Sequence, residues 1–299
     1  MSWQHILYNV ERGVAHVVLN RPEKLNALGM GPGSNRVELV EALECADADD
    51  AVGAILVSAN GRAFCAGGDM VGVPRVRSTI GNKSFVDELD ALHARARRVR
   101  KPSVAAVHGM VLGSGLGLSA LFDFVVAARG TRFGLIEGRV GHPGATEIVP
   151  LVGTAWAKYL MLTGEIIDAE RAAAIGLILE IEEPDVLLAR CTDLAERLAR
   201  MPREAVMLNK ASIDSITEAA GRGVGRSIGR LHDMLTRSTT HDAAAPDGRK
   251  FEEILKDEGM QSFKAARDTQ YGTPWLRALK STGDGRQSGV RSARMSDTT

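Results

Sequence analysis

The chain has 299 residues, of which 44% are hydrophobic and 25% are charged, so it is long enough to bury a substantial core. Lysine plus arginine and aspartate plus glutamate number 37 each, and the formal net charge is therefore zero. This balance argues against a strongly cationic surface of the kind that binds nucleic acid or an anionic membrane. Neither class of partner is predicted.

The cysteines and the N-terminus bear on the compartment. Cys45, Cys65 and Cys191 are an odd number at wide spacings and form no CxxC pair, so neither a disulfide framework nor a metal site is predicted. No apolar run is long enough to span a membrane, and the first residues (MSWQHILYNVERG) lack the pattern of a secretory signal. We therefore predict a cytoplasmic protein with reduced thiols.

The first half of the chain alternates short apolar strands with amphipathic helices, which is typical of an α/β fold. In chain order the pattern predicts a strand over 14–20, a helix over 34–47, a strand over 52–58, a helix over about 84–100 and a strand over 103–107. A glycine-bearing loop follows the second strand, and another follows the third. An α/β core is therefore expected.

The second half is predicted to be almost entirely helical. The expected helices cover 154–162, 168–175, 185–200, 203–220, 222–238 and 250–267, with one strand-like piece near 177–181. Residues 241–249 read as a loop. The segment from about 282 onwards is polar, rich in glycine and serine, and without apolar periodicity, so it is predicted to be disordered.

The two glycine loops carry the first indication of chemistry. Each loop, 66–69 (AGGD) and 113–115 (GSG), follows a strand and precedes a predicted helix, the first helix beginning at Asp69. Free N–H groups at a helix start can meet negative charge, and glycine lets the backbone approach a ligand closely. Two such loops aimed at one oxygen would form an oxyanion hole, although a single glycine pair is more often a tight turn.

Further motifs occur in a fixed order along the chain: 19–28 (LNRPEKLNAL), 61–69 (GRAFCAGGD), 101–109 (KPSVAAVHG), 112–115 (LGSG), 133–134 (FG) with Glu137, 162–164 (LTG), 172–177 (AAAIGL) and 258–260 (EGM) with Phe263 and Arg267. This ordered set resembles the crotonase, or enoyl-CoA hydratase/isomerase, superfamily. The likeness extends from about residue 5 to residue 272.

The resemblance implies a spiral of ββα units with a helical C-terminal region that assembles a homotrimer or hexamer. It divides the chain into a spiral core (1–200), a helical oligomerisation region (201–272) and a polar, disordered tail (273–299). The implied substrate is an acyl-CoA thioester, with coenzyme A as part of the substrate and no tightly bound cofactor.

The resemblance also assigns binding residues. The oxyanion donors are the backbone N–H groups of Gly68 and Ser114. Ala66 and the segment around Lys24 line the adenine end of coenzyme A. Phe263 and Arg267 match positions that contact the nucleotide of a neighbouring subunit.

The resemblance leaves the reaction open. Hydratases of the family use two glutamates, and the corresponding positions here are Gly117 and Glu137. Paired carboxylates suit the orientation and deprotonation of water, whereas one carboxylate suffices to move a proton between two carbons. The sequence therefore favours isomerase-like chemistry with Glu137 as acid and base. His142 and Glu147 are candidates for a second catalytic group.

Two alternatives stay open at this point. One is hydrolysis of a thioester or of a carbon–carbon bond, for which His142 or Glu147 would supply the additional group. The other is a catalytically silent protein that only binds coenzyme A, which the glycine at position 117 would suit.

Overall fold

The computed structural model describes residues 3–70, 78–142, 144–237 and 242–279. Its strands are β1 (Ile6–Glu11), β2 (Val14–Leu19), β3 (Ala54–Ala59), β4 (Ser103–Val107), β5 (Met110–Leu112), β6 (Phe124–Ala128), β7 (Arg132–Gly134), β8 (Ile166–Asp168) and β9 (Glu180–Glu182). Six of them form one sheet in the order β1-β2-β3-β4-β6-β9, in which only the β1–β2 pair is antiparallel. The remaining three form a small sheet in the order β5-β7-β8.

The helices are α1 (Asn35–Ala48), α2 (Thr79–Arg97), α3 (Ser114–Ser119), α4 (Val149–Thr163), α5 (Ala169–Ala174), α6 (Leu187–Ala199), α7 (Arg203–Thr217), α8 (Gly223–Arg237), α9 (Phe251–Asp257) and α10 (Gly259–Asp268). Short 3-10 turns cover Pro22–Lys24, Ile136–Val140 and Thr146–Ile148. Among the described residues, none of these helices is long and apolar enough to cross a membrane.

The core lies on both faces of the large sheet because its central strands, β3 and β4, are apolar at all but one position each. All five residues of β4 are buried. Successive side chains of a strand point to opposite faces, so Ala105 and Val107 join the main core while Val104 and Ala106 pack on the other face. Helix α6 covers that second face through three buried side chains, Leu187, Cys191 and Ala195.

The small sheet brings the two glycine loops together. Cys65, just before the first loop, forms a parallel bridge with Val111 of β5. The Leu112 N–H donates to the Cys65 carbonyl over 3.0 Å, and the Gly113 N–H donates to the Gly134 carbonyl over 2.8 Å. The end of the first strand–loop unit, the second loop and β7 are therefore neighbours in space, although they are far apart in sequence.

The predicted mixed α/β architecture is confirmed, with differences in detail. The sequence patterns missed β1, the three strands of the small sheet and the short β6, because strands of three to six residues offer too few positions for periodicity to register. The helix predicted over 250–267 is two helices, broken at Glu258 before Gly259, which has a φ of +85°.

The helix predicted to begin at Asp69 is wrong. Asp69 and Met70 are not helical, and α2 begins at Thr79 with the Ser78 hydroxyl accepting from the Gly81 N–H. The Asp69 N–H donates to the Leu28 carbonyl over 2.9 Å, because Gly68 pairs with Leu28 in an extended bridge. The Gly68 N–H therefore owes its direction to an extended strand edge rather than to a helix start.

The C-terminal tail was predicted to be disordered from about residue 282, and residues 280–299 lie outside the described residues. Residues 273–279 are described and form no regular element. Within them the Trp275 ring lies 6.1 Å from the Tyr159 ring, and the Arg277 carbonyl accepts a hydrogen bond from Arg171. This part of the tail thus packs against α4 and α5.

Candidate active site

The two glycine loops form one side of a cavity of about 440 Å³. Gly67 and Gly113 have φ values of +114° and +52°, which favour glycine because a side chain is strained there. A Cβ atom placed on Gly67 would lie 4.0 Å from the Ser114 nitrogen, and one on Gly68 would lie 3.6 Å from the Ser114 hydroxyl oxygen. The loops therefore touch, and both proposed donors line the same cavity.

The N–H groups of Gly68 and Ser114 are available to a ligand. Within the described residues neither N–H donates to a protein acceptor, whereas the neighbouring Asp69 and Gly113 N–H groups both do. Ser114 is the first residue of α3, where a backbone N–H has no partner inside its own helix. Two unpaired donors on touching loops are the geometry that an oxyanion requires.

Glu137 places a carboxyl group beside the second loop. It lies in the 3-10 turn Ile136–Val140, directly after β7, and lines the cavity. A Cβ atom on Gly113 would lie only 3.0 Å from Glu137 Oε2, so the carboxyl group faces the second loop at the one position where no side chain intervenes. This oxygen is buried and has no hydrogen-bond partner among the described residues.

The surroundings of Glu137 favour its protonated form. The pKa of Glu137 is raised to about 7, chiefly by burial and also by the charge of Asp233, while a hydrogen bond from the glutamate's own backbone N–H opposes the rise. A carboxyl group with a pKa near neutrality can both accept and return a proton under physiological conditions. Glu137 thus combines the position and the pKa of an acid–base catalyst.

The site has no room for a second glutamate at the position the family resemblance suggests. Gly117 lines the cavity, but a Cβ atom on it would lie 2.9 Å from the Ala145 Cβ. A separation this short forces the neighbour to move. Any side chain at position 117 would therefore require the segment carrying Ala145 to shift.

His142 and Glu147 both line the cavity, as the sequence analysis anticipated for residues near the acyl group. The His142 N–H donates to the Glu137 carbonyl over 3.0 Å, and burial lowers the pKa of the His142 ring, which keeps it neutral. The charge of Glu147 interacts with the guanidinium groups of Arg97 and Arg226. The field of these arginines therefore reaches Glu147, although no ion pair within 4.0 Å joins them among the described residues.

The residues assigned to coenzyme A by resemblance are divided in space. Ala66, Phe263 and Arg267 line the cavity, with the Phe263 ring buried against Phe251 of α9. Lys24 is exposed and is not part of the lining. Phe263 and Arg267 thus line the cavity of their own chain, and their contact with the nucleotide of a neighbouring subunit stays a prediction.

Sequence reasoning missed one wall of the cavity. Helix α8 lines it with five residues on one face, namely Arg226, Gly229, Arg230, Asp233 and Arg237. Two ion pairs hold this wall. Arg237 Nε lies 3.2 Å from Asp233 Oδ2, and Arg230 Nη1 lies 3.1 Å from Oδ2 of Asp90 in α2. The available signal was the spacing of these residues at intervals of three and four, which ordinarily indicates a solvated helix face.

Two further expectations concern reactive groups. Burial raises the pKa of the Cys65 thiol to about 11, which fits a packing residue rather than a nucleophile. Among the described residues no cluster of three histidine, cysteine, aspartate or glutamate side chains is arranged to hold a metal ion.

Comparison with known proteins shows which family the chain matches. A family model described as enoyl-CoA hydratase/isomerase matches residues 9–273. A probable enoyl-CoA hydratase of Rhizobium meliloti (strain 1021) is 33% identical over 278 residues, which cover 91% of this chain and 99% of that protein. A trans-2-decenoyl-[acyl-carrier-protein] isomerase of Streptococcus mutans is 31% identical over 230 residues, covering 75% of this chain and 85% of that protein.

Solved structures show the same architecture. An enoyl-CoA hydratase of Mycobacterium smegmatis superposes with a TM-score of 0.80 at 26% identity, covering 91% of this chain and 95% of that chain. An enoyl-CoA hydratase/isomerase of Xanthobacter autotrophicus Py2 superposes with a TM-score of 0.78 at 27% identity, covering 91% and 100%. The spiral of strands and helices and the long C-terminal helices are thus shared over nearly the whole chain.

Proposed function

The chain belongs to the enoyl-CoA hydratase/isomerase family, an enzyme family of the lyase or isomerase type, and on that premise we propose that it moves a double bond along an acyl-CoA thioester. Coenzyme A enters as part of the substrate. The observation that carries the proposal is a buried carboxyl oxygen, Glu137 Oε2, which has no hydrogen-bond partner among the described residues and lies beside two free backbone donors.

The proposed reaction needs only these groups. The thioester oxygen accepts hydrogen bonds from the Gly68 and Ser114 N–H groups, which stabilise the negative charge that develops on it. The ionised Glu137 carboxylate removes a proton from the carbon next to the thioester of a 3-enoyl substrate and forms a dienolate. The protonated glutamate returns the proton two carbons farther along, so the product is the 2-enoyl thioester with no change in composition.

Three features favour proton transfer between carbons over addition of water. The space beside Gly117 is filled by Ala145, so a second carboxylate is missing from the position that hydratases use. Glu147, the other glutamate of this loop region, interacts with arginines. The similarity to the isomerase of Streptococcus mutans shows that a relative of comparable identity is named for double-bond migration.

The alternative of a catalytically silent binding protein is less well supported. Keeping a carboxyl group buried without a hydrogen-bond partner costs stability, because its ionised form loses solvation. A protein that only binds coenzyme A gains nothing from that cost. A catalyst benefits, because the same burial contributes most to raising the pKa of Glu137 to about 7.

A screen of thioesters tests the proposed reaction. The purified protein is incubated with crotonyl-CoA, a 3-enoyl-CoA and a cyclic β-keto acyl-CoA, and the products are analysed by mass spectrometry and ultraviolet absorbance. We expect the 3-enoyl-CoA to keep its mass and gain the absorbance of a conjugated thioester. A gain of one water on crotonyl-CoA as the dominant reaction contradicts the proposal in favour of hydration. Free coenzyme A indicates hydrolysis, and binding without product indicates a silent protein.

We also propose that the chain assembles as a trimer, or as a hexamer of two trimers, through α7 and α8. Helix α8 turns its polar face to the cavity and its apolar face outwards, and α7 is similarly apolar outside. The exposed apolar residues on these helices are Leu208, Ile213, Ile216, Val224, Ile228, Leu231 and Leu235. A helix exposes such a stripe to water only at a cost, which a second chain packed over it removes.

Light scattering after size-exclusion chromatography checks this assembly. We expect a mass of about three or six times the 32.0 kDa of one chain at micromolar concentration. Leu231→Glu should shift the mass towards that of a monomer, because it places a charge within the apolar stripe. Leu188→Glu, the same change at an exposed position of α6, is the matched control and should leave the assembly intact. A monomeric wild-type protein contradicts the proposal.

A further inference from the structure

The segment that carries Glu137 is held by one buried arginine. Arg139 lies two residues after Glu137 in the same 3-10 turn, and only 4% of its side chain is exposed. Its Nε donates to the Gly164 carbonyl over 2.8 Å, and its guanidinium lies 3.6 Å from the centre of the Tyr271 ring. A Cβ atom on Gly164 would lie 2.8 Å from the Arg139 Cγ, so the glycine leaves room for the arginine stem.

Asp268, at the end of α10, joins this arginine to the cavity. Its Oδ1 accepts from Arg139 Nη1 over 2.8 Å and from Arg267 Nε over 2.8 Å, while its Oδ2 accepts from Arg267 Nη2 over 2.6 Å. Arg267 lines the cavity. One carboxylate is therefore shared between an arginine at the cavity wall and an arginine beside the catalytic segment.

The shared carboxylate is charged. Burial alone would raise the pKa of Asp268, but hydrogen bonds from Arg267 and Arg139 bring the pKa below its ordinary value. The three groups together carry one net positive charge at the cavity edge. A phosphate oxygen is the kind of ligand that an arginine at such a position binds.

We propose that Arg139 is a positioning residue that holds the turn bearing Glu137. Asp268 couples this hold to the binding of the substrate's phosphate-bearing nucleotide at Arg267. A phosphate competes with Asp268 for the donors of Arg267. Asp268 then accepts hydrogen bonds from Arg139 alone, and the turn bearing Glu137 is fixed more firmly. Binding energy of the nucleotide, remote from the reacting carbons, is thereby used in the chemical step. This inference rests on the proposed proton transfer by Glu137.

The test combines a substrate lacking the nucleotide with a variant lacking the link. Rates are measured for a 3-enoyl-CoA and for the same acyl group on pantetheine, with the wild-type protein, Asp268→Asn and Arg139→Lys. For the wild type we expect the nucleotide to raise kcat as well as to lower KM. For Asp268→Asn we expect kcat on the coenzyme A thioester to fall about tenfold and kcat on the pantetheine thioester to change by less than about twofold. Arg139→Lys loosens the turn itself, so it should lower kcat on both thioesters.

A second measurement does not depend on turnover. Hydrogen–deuterium exchange of the backbone over residues 135–141 is compared with and without coenzyme A. Coenzyme A should slow the exchange in the wild-type protein and not in Asp268→Asn. Asp247→Asn breaks a comparable contact of 2.7 Å with Arg249 in the same C-terminal region and is the matched control, which should behave as the wild type.

The outcomes separate the link from the underlying reaction. An equal loss of kcat on both thioesters means a merely structural role for Asp268 and overturns the proposal. Unchanged rates in both variants overturn it as well. Absence of turnover in the wild type refutes the proposed function, and the exchange measurement then decides the link by itself, with identical protection in the wild type and Asp268→Asn counting against it.

Discussion

Glu137→Gln is expected to reduce kcat for double-bond migration about 10³-fold, while coenzyme A binding stays within a few fold of the wild type. Glutamine keeps the size and the hydrogen-bonding capacity of the side chain but cannot accept the substrate proton. The carboxyl oxygen of Glu137 is buried beside the second glycine loop, so solvent does not readily replace it. Steady-state kinetics and calorimetric titration with coenzyme A measure the two quantities.

The same substitution at Glu147 is the matched comparison. Glu147 lies on the same cavity but interacts with Arg97 and Arg226, so Glu147→Gln is expected to cost less than about tenfold in kcat. The assignment of Glu137 fails if Glu137→Gln keeps most of its activity. A larger loss in Glu147→Gln than in Glu137→Gln would transfer the acid–base role to Glu147.

Measuring the free energy of unfolding of Glu137→Gln shows whether this variant remains folded. The folded protein holds the Glu137 proton with a pKa of about 7, against an ordinary value of 4.5. The contribution of this group to stability is therefore fully present below about pH 4.5 and is lost as the pH rises through about 7. Glutamine never ionises, so the variant should be more stable than the wild type near pH 8, by at most about 3 kcal/mol, and similar near pH 4. Denaturant titrations at the two pH values measure this difference.

The activity of the wild type should follow the opposite trend with pH. Proton removal requires the ionised carboxylate, so kcat/KM is expected to rise as the pH increases through about 7. Activity and the stability contribution of Glu137 therefore trade against each other over the same range, as is common where a functional group is kept in an unfavourable environment.

The central sheet could be predicted from sequence because burial on both faces makes β3 and β4 apolar at all but one position each. The conformation at Asp69, at the end of the first glycine loop, could not be predicted from sequence. Asp69 follows two glycines after a strand, which suggests a helix, yet its N–H is taken by the Leu28 carbonyl. That partner lies 41 residues earlier, and local patterns carry no information about such a pairing.

Helix α8 shows a different limit of sequence reasoning. Its apolar stripe of Val224, Ile228, Leu231 and Leu235 has the spacing of a core face, and its arginines have the spacing of a solvated face. In the single chain the two faces lie in the opposite environments to those usually expected: the apolar stripe is exposed, and the polar stripe lines the cavity. Periodicity identifies two faces but not what each of them meets. The cavity on one side and the proposed partner chain on the other explain why the usual assignment is reversed.

The motif around Glu137 identified it as the candidate acid–base residue, but the sequence could not predict whether its carboxyl group is hydrogen-bonded. The sequence places Glu137 after Phe133 and Gly134, which aligns it with a family position. That its Oε2 has no partner among the described residues depends on the absence of a side chain at Gly113, on Asp233 approaching from α8, and on the fold of the turn. These groups are contributed by elements that only tertiary structure brings together.

Gly68→Pro is expected to lower kcat by about 10²- to 10³-fold, because proline has no N–H to donate to the developing oxyanion. Gly68→Ala is the matched control. It retains the N–H, Gly68 is not in the left-handed region, and the added methyl group would lie 3.6 Å from the Ser114 hydroxyl oxygen, an ordinary contact. Gly68→Ala should therefore keep kcat within about tenfold of the wild type.

A double variant decides whether the donor and the base act on the same intermediate. If the Gly68 N–H stabilises the enolate that Glu137 generates, the donor has little to stabilise once the base is removed. Gly68→Pro combined with Glu137→Gln should then be little worse than Glu137→Gln alone, instead of showing the product of the two losses. Fully multiplicative losses would mean that the two groups act independently. Gly68→Ala, combined with Glu137→Gln in the same way, separates the missing donor from the presence of a side chain.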